Sequence, residues 1–264
     1  MRVLLLGGTG NLGRRCIPAL VAHGHILTVY VRNPSKLRSL VSTELLDRIN
    51  AVVVGDATDV SALKQAIIDH DIEAIVDVAG NQVLPWHEYV LSKIAKAIAD
   101  AALEVGRERG KPLRIWVTSA LGIMKIPGKD YLLEDFVPRL AMAQHGATRD
   151  VMEVIPTTDL KWSLLAITRM TPRDPKQGLY QPLEEPQQHN LLSQATTIPD
   201  WHGSWMEAIP FIGPFFYFIY VAWGPYCVEY EAMADFLAED LAIGGEKWIG
   251  KKVAVKMKRG KKDD

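Results

Sequence analysis

Apolar and polar positions alternate along the first 120 residues as short hydrophobic runs separated by longer amphipathic stretches. Residues 2–6 form one apolar run. Residues 26–31 form a second, rich in β-branched and aromatic side chains, and 52–54, 74–78 and 113–118 follow. Runs of this length bounded by turn residues predict buried strands. Between them, 11–22, 35–48, 60–69 and 86–109 carry helical spacing, with Ser35 after Pro34 as an N-cap and Gly110 near the end of the longest. This rhythm predicts a mostly parallel sheet with helices on both faces, an α/β, doubly wound Rossmann fold.

The later half is less regular. A helix is expected over 138–155, a sixth strand over 161–168, an amphipathic helix over 229–241 and a last strand over 252–256. Residues 170–210 are dense in proline, glutamine and glycine and read as long functional loops. With no repeat and no clear linker, 1–264 reads as a single domain, with 170–228 as a substrate loop or lid in a small C-terminal substrate-binding region.

Composition narrows the function. Of 264 residues, 48 % are hydrophobic and 23 % charged, which suits a globular chain. Thirty basic residues against thirty-one acidic leave a net charge of −1, so no basic field exists to hold nucleic acid. The two cysteines, Cys16 and Cys227, form no Cys-x-x-Cys pair, and no His-x-x-x-His pair occurs. Neither a metal site nor a disulfide is expected. The first apolar run is too short for a secretory signal, so a cytoplasmic location is expected.

Residues 208–228 lack charge and carry Phe211, Phe215, Phe216, Tyr217, Phe218, Tyr220 and Trp223. The length reaches that of a membrane span. Pro210, Gly213, Pro214, Gly224 and Pro225 interrupt it, which favours a lid or core element over membrane contact.

The strongest motif is Gly7-Gly8-Thr9-Gly10-Asn11-Leu12-Gly13, directly after a strand and opening a helix. That context marks a dinucleotide-binding turn. Gly7 permits the tight turn, Gly10 lets the backbone approach a pyrophosphate, and Gly13 permits close packing of the helix. The helix N-terminus offers free N–H groups to phosphate. The second strand ends in Tyr30-Val31-Arg32-Asn33-Pro34-Ser35-Lys36, with no carboxylate until Glu44. Arg32, with Lys36 and Arg14 nearby, suits a ribose 2′-phosphate, so NADP is favoured over NAD. Asp56 beside Ala57 suits an adenine amino group, while Thr58 or Asp59 would cap the next helix. Ala79, Gly80 and Asn81 close the fourth strand, and the small residues leave room for a cofactor ribose.

These segments, with Val117-Thr118-Ser119-Ala120 and the C-terminal stretches 229–236 and 248–253, resemble the NmrA-like, atypical short-chain dehydrogenase/reductase proteins. The resemblance implies that Gly7, Gly10, Gly13, Arg32, Asp56 and the Ala79-Gly80 backbone hold NADP, with Ser119 near the nicotinamide. It implies an NADPH-dependent oxidoreductase or a non-catalytic NADP(H)-binding redox sensor; a third reading is an isomerase or cyclase on the same fold, because a well-placed Tyr/Lys pair is missing.

Short-chain dehydrogenases use Ser with Tyr-x-x-x-Lys, in which Tyr moves the proton and Lys lowers its pKa and grips the ribose. Tyr89-x-x-x-Lys93 matches as a string but precedes the fifth strand. Tyr131 follows Ser119 at a suitable distance, with Asp135 where Lys would stand. The helix before the sixth strand offers His145, which could titrate near neutrality, and Arg149, which could hold a ribose. Ser119, Tyr131 and His145 are thus the catalytic candidates. Trp201, His202, Trp205, Phe215 and Phe216 form an aromatic set suited to a flat or apolar substrate, such as a polyketide, terpenoid, quinone or indole compound of secondary metabolism. The alternative for the same aromatics is ordinary core or a homo-oligomer surface.

Overall fold

The computed structural model describes residues 1–81, 88–137, 139–204, 209 and 213–258. Strand β1 (Arg2–Leu6) is the centre of the sheet, with Val3, Leu4, Leu5 and Leu6 fully buried. Burying a Leu or Val side chain contributes about 1.5–3 kcal/mol, which makes this run a core strand flanked on both faces. Strands β2 (Ile26–Val31), β3 (Ala51–Val54), β4 (Ala74–Asp77), β5 (Arg114–Ala120) and β6 (Lys161–Ile167) pair parallel around it.

The sheet holds eight strands, one more than the seven expected. A two-residue pair, β7 (Met170–Thr171) with β9 (Val228–Glu229), stands apart from it. The order is β3-β2-β1-β4-β5-β6-β10-β8, in which β10 (Lys251–Met257) runs parallel to β6 and β8 (Leu191–Ala195) antiparallel to β10. Strand β8 lies inside the region expected to be loop. It exists because β10 leaves an unpaired edge, and edges are satisfied by pairing or covering.

The helices divide between the two faces. Helices α1 (Gly13–Ala22) and α8 (Tyr230–Ala242) pack together on one, through Ile17, Leu20, Phe236 and Leu237. Helices α4 (Val60–Asp69), α5 (Leu91–Arg109) and α6 (Arg139–Glu153) cover the other, through Leu63, Ile67, Ile98 and Met152. The helix expected over 35–48 is instead two short ones, α2 (Pro34–Arg38) and α3 (Thr43–Leu46). Asn33 caps the first and Ser42 the second. They separate because Val41 bridges to Tyr180, with Tyr180 N–H donating to the Leu40 carbonyl and Ser42 N–H to the Tyr180 carbonyl. Helix α5 begins at Leu91, later than the expected 86; residues 86 and 87 lie outside the described residues, and 88–90 are not helical.

The uncharged stretch contains helix α7 (Gly213–Trp223). No described helix is long and apolar enough to cross a membrane.

Candidate functional site

In an open parallel sheet, ligands bind beyond the carboxyl ends of the strands, where the strand order reverses. Here that point lies between β1 and β4. Two hollows meet there. The outer one, about 540 Å³, lies along β1, β2, β3 and the start of α5. The inner one, about 610 Å³, lies along β4, β5, α6 and the end of β6. Gly10, Val78, Ala79, Gly80 and Asn81 line both, so the two form one continuous cleft.

The glycine turn is built by contact. Gly7 has φ +82, and a Cβ there would lie 2.6 Å from the Val78 carbonyl carbon and the Ala79 nitrogen. A Cβ on Gly13 would lie 2.0 Å from the Gly7 oxygen. The Gly10 N–H donates to the Gly7 carbonyl at 2.8 Å and closes the turn. Helix α1 then starts without a side-chain cap or an acidic residue in its first turn; the Arg14 and Arg15 N–H groups donate to the Gly10 and Leu12 carbonyls, and the positive end of the helix suits an anion.

The outer hollow is polar. Thr9, Arg32, Lys36, Asp56 and Ala57 line it as the sequence suggested. The Asp56 carboxylate accepts from the Thr58 hydroxyl (2.7 Å) and backbone N–H (2.8 Å). These bonds hold its pKa below the usual carboxylate range, with a smaller pull from Arg32. Asp59 caps α4 by accepting from Ala62 N–H. Tyr30, not foreseen as a site residue, packs on Gly55 and donates to the Asp56 carbonyl at 3.1 Å. Lys93 also lines this hollow and pairs with Glu88, while the Tyr89 hydroxyl donates to the Leu140 carbonyl. The Tyr89/Lys93 string therefore does not meet Ser119.

The inner hollow brings together Asn11, Leu12, Thr118, Ser119 and His145. Ser119 is buried, and its hydroxyl donates to the His145 carbonyl at 3.4 Å. Burial pushes the His145 pKa down to about 4, so its ring is neutral at pH 7, contrary to the expectation of titration near neutrality. Tyr131 is not among the described lining residues; it packs edge-on against Phe136 instead. Arg149 is committed to Glu134, Asp150 and Glu153. Beneath the cleft, burial pushes the Asp77 carboxyl up to about 7, opposed by an N–H bond from Ala79.

The chain belongs to the NAD(P)H-binding family. The model of that family matches residues 7–196, which include all but Leu6 of the outer hollow's described lining and all but Tyr230 of the inner one's. Solved structures share the fold at low identity. A Lactobacillus casei protein superposes with a TM-score of 0.65 at 14 % identity, covering 98 % of this chain and 100 % of that one. A Streptococcus pneumoniae protein assigned as an NADH-flavin reductase gives 0.63 at 15 %, covering 98 % and 100 %. A Bacillus halodurans protein assigned as an NAD-dependent epimerase/dehydratase gives 0.60 at 17 %, covering 98 % and 94 %. A fatty acid hydroxylase of Mycosarcoma maydis is 31 % identical over 67 residues, 25 % of this chain and 22 % of that protein's length.

The NAD(P)H-binding cleft fits a dinucleotide on its own geometry: a turn with no room for a Cβ at Gly7 or Gly13, a helix start without a side-chain cap, and a hollow on either side. The aromatic set lies elsewhere in its described part. Trp201 packs against Tyr217 and Tyr226 in the core, His202 pairs with Asp200 at 71 % side-chain exposure, and Phe216 is 56 % exposed. None of these three is among the described lining residues. Trp205 lies outside the described residues, as does the side chain of Phe215. The inner hollow is closed instead by Ile167, Thr168, Met170 and Tyr230, at the edges of the late region, and by Gln144 of α6. Gln144 carries no sequence signal beyond its place next to His145. Tyr230 could be suspected only from its position at the start of the last helix.

Proposed function

We propose that the protein is an NADPH-dependent oxidoreductase of the NmrA-like type that acts on an apolar or aromatic small molecule. One observation carries this reading. The cleft is continuous, basic at the outer end, where Arg32 and Lys36 stand, and walled at the inner end by Leu12, Leu91, Ile167 and Met170 beside Ser119. The cofactor, when bound, supplies the hydride chemistry. The chain's own residues seat the phosphates at the Gly7–Gly13 turn, meet a 2′-phosphate with Arg32, and present apolar walls to the substrate. For a substrate that also needs a proton, Tyr230 is a titratable residue that lines the inner hollow, with the Arg15 guanidinium 4.8 Å from its ring centroid.

Calorimetry with NADPH and NADH on the wild type and Arg32→Ala tests the reading. NADPH binds with a Kd of about 1 μM or tighter, and Arg32→Ala removes most of its advantage over NADH. Equal binding of both by the wild type overturns the Arg32 assignment. Binding of neither overturns the oxidoreductase reading.

A second reading, a redox sensor that binds NADP(H) without turnover, is supported by α6. It offers neutral His145 and Gln144 in place of a Tyr/Lys pair. Tight NADPH binding without oxidation by a panel of quinones and aromatic carbonyls would favour it.

A further inference from the structure

Two carboxamides in the cleft have half-complete hydrogen bonding. Gln144 is 4 % exposed. Its Nε2 donates to the Asn81 carbonyl at 3.4 Å, which orients the amide and leaves Oε1 buried without a partner among the described residues. Asn81 repeats the arrangement. Its Nδ2 donates to the Glu88 carbonyl at 2.7 Å, and its Oδ1 is buried and unpartnered among the same residues. A buried acceptor left open carries its desolvation penalty uncompensated. Two of them in one cleft point to a ligand that supplies donors.

The type of donor selects the ligand group. A reducible carbonyl presents acceptor oxygens and cannot satisfy carboxamide oxygens. A vicinal diol presents two O–H donors. Position agrees with chemistry. Asn81 lines both hollows, where an extended ligand passes from the glycine turn into the inner one, and Gln144 lines the inner hollow and is tied to Asn81. In a dinucleotide whose pyrophosphate sits at the turn, the second ribose comes next.

We propose that Asn81 and Gln144 hold the hydroxyls of the cofactor's nicotinamide-side ribose. The assignment rests on the dinucleotide reading above. It gives α6 a binding role through a neutral amide, in the place where a Tyr/Lys pair would use a lysine. Arg149 does not compete for that role, because three carboxylates surround it.

The test compares two probes, NADP+ and 2′,5′-ADP, the second lacking the nicotinamide riboside. Calorimetry is run on the wild type and on Gln144→Leu. Gln144→Leu weakens NADP+ about tenfold and leaves 2′,5′-ADP within about twofold. No loss for NADP+, or equal loss for both probes, overturns the assignment. Should Gln144→Leu fail to fold, Asn81→Ala at the cleft junction gives the same comparison with the same expected split. If the wild type prefers NAD+, the probes become NAD+ and 5′-AMP. A wild type that binds no dinucleotide overturns the cofactor reading and this assignment with it. A wild type that binds normally, with unchanged NADP+ affinity in both variants, overturns this assignment alone.

Discussion

Gly13 lies against the carbonyl of Gly7, so close that a Cβ at residue 13 would sit 2.0 Å from that oxygen. The oxygen is backbone and a Cβ is bonded directly to the backbone at Cα, so neither can swing aside. Gly13→Ala must shift the helix or the turn, and overpacking of this kind costs about 1–3 kcal/mol. The same shift opens the Gly7–Gly10 turn. Urea unfolding should show the loss of stability, and titration with NADPH should show weakened binding. Unchanged affinity would mean that the turn does not seat the phosphates.

Arg15 and Glu231 tie the turn to the last helix. Arg15 Nε lies 2.5 Å from Glu231 Oε1, with both side chains largely buried. Arg15 also donates to the Asn11 carbonyl at 2.7 Å and faces the rings of Tyr180 and Tyr230. Removing one partner of a buried pair costs about 3–5 kcal/mol, because the other charge is left uncompensated. Arg15→Met should therefore lower unfolding stability by about 3 kcal/mol. Cofactor binding should weaken with it, since the Asn11 carbonyl loses its anchor. A change below about 1 kcal/mol with intact binding would reduce the contact to a minor crossing.

Asp77 and His145 make opposing contributions to stability against pH. Asp77 has a folded pKa of about 7 against 3.8 unfolded. Between these values the unfolded chain releases the proton first, so stability falls as pH rises. His145 has a folded pKa of about 4 against 6.5 unfolded. In that window the unfolded chain takes up the proton first, so stability falls as pH drops. Relative to wild type, Asp77→Asn should gain stability as pH rises from 4 to 7. His145→Gln should gain relative stability as pH falls from 6.5 to 4. Denaturant unfolding across pH 4–7.5, without cofactor, reads both slopes, and parallel curves for all three proteins would contradict the burial argument.

Local chemistry determined the strands and the glycine turn of the first half. The β1 and β2 runs appear with the bounds their side chains suggested, and α4 spans the expected 60–69 with Asp59 as its cap. A buried parallel strand needs a continuous apolar run, and a nucleotide turn needs glycine at fixed spacing. Both are visible in a one-dimensional string. The outer hollow was legible for the same reason, because Arg32, Lys36 and Asp56 follow directly on strand ends.

The inner hollow was decided by tertiary structure. Gln144, Thr168, Met170 and Tyr230 come from separate elements that only the sheet order brings together. Strand β8 was hidden because its residues are weakly patterned, and the open edge of β10 recruits them. The helix expected over 35–48 was broken by Tyr180, some 140 residues on, through backbone bonds that local propensity does not encode. His145 looked like a group that would titrate near neutrality, and burial made it a neutral ring. Sequence set which residues could turn, cap and pair. Packing set which of them face the same space, and desolvation set the charge each can carry there.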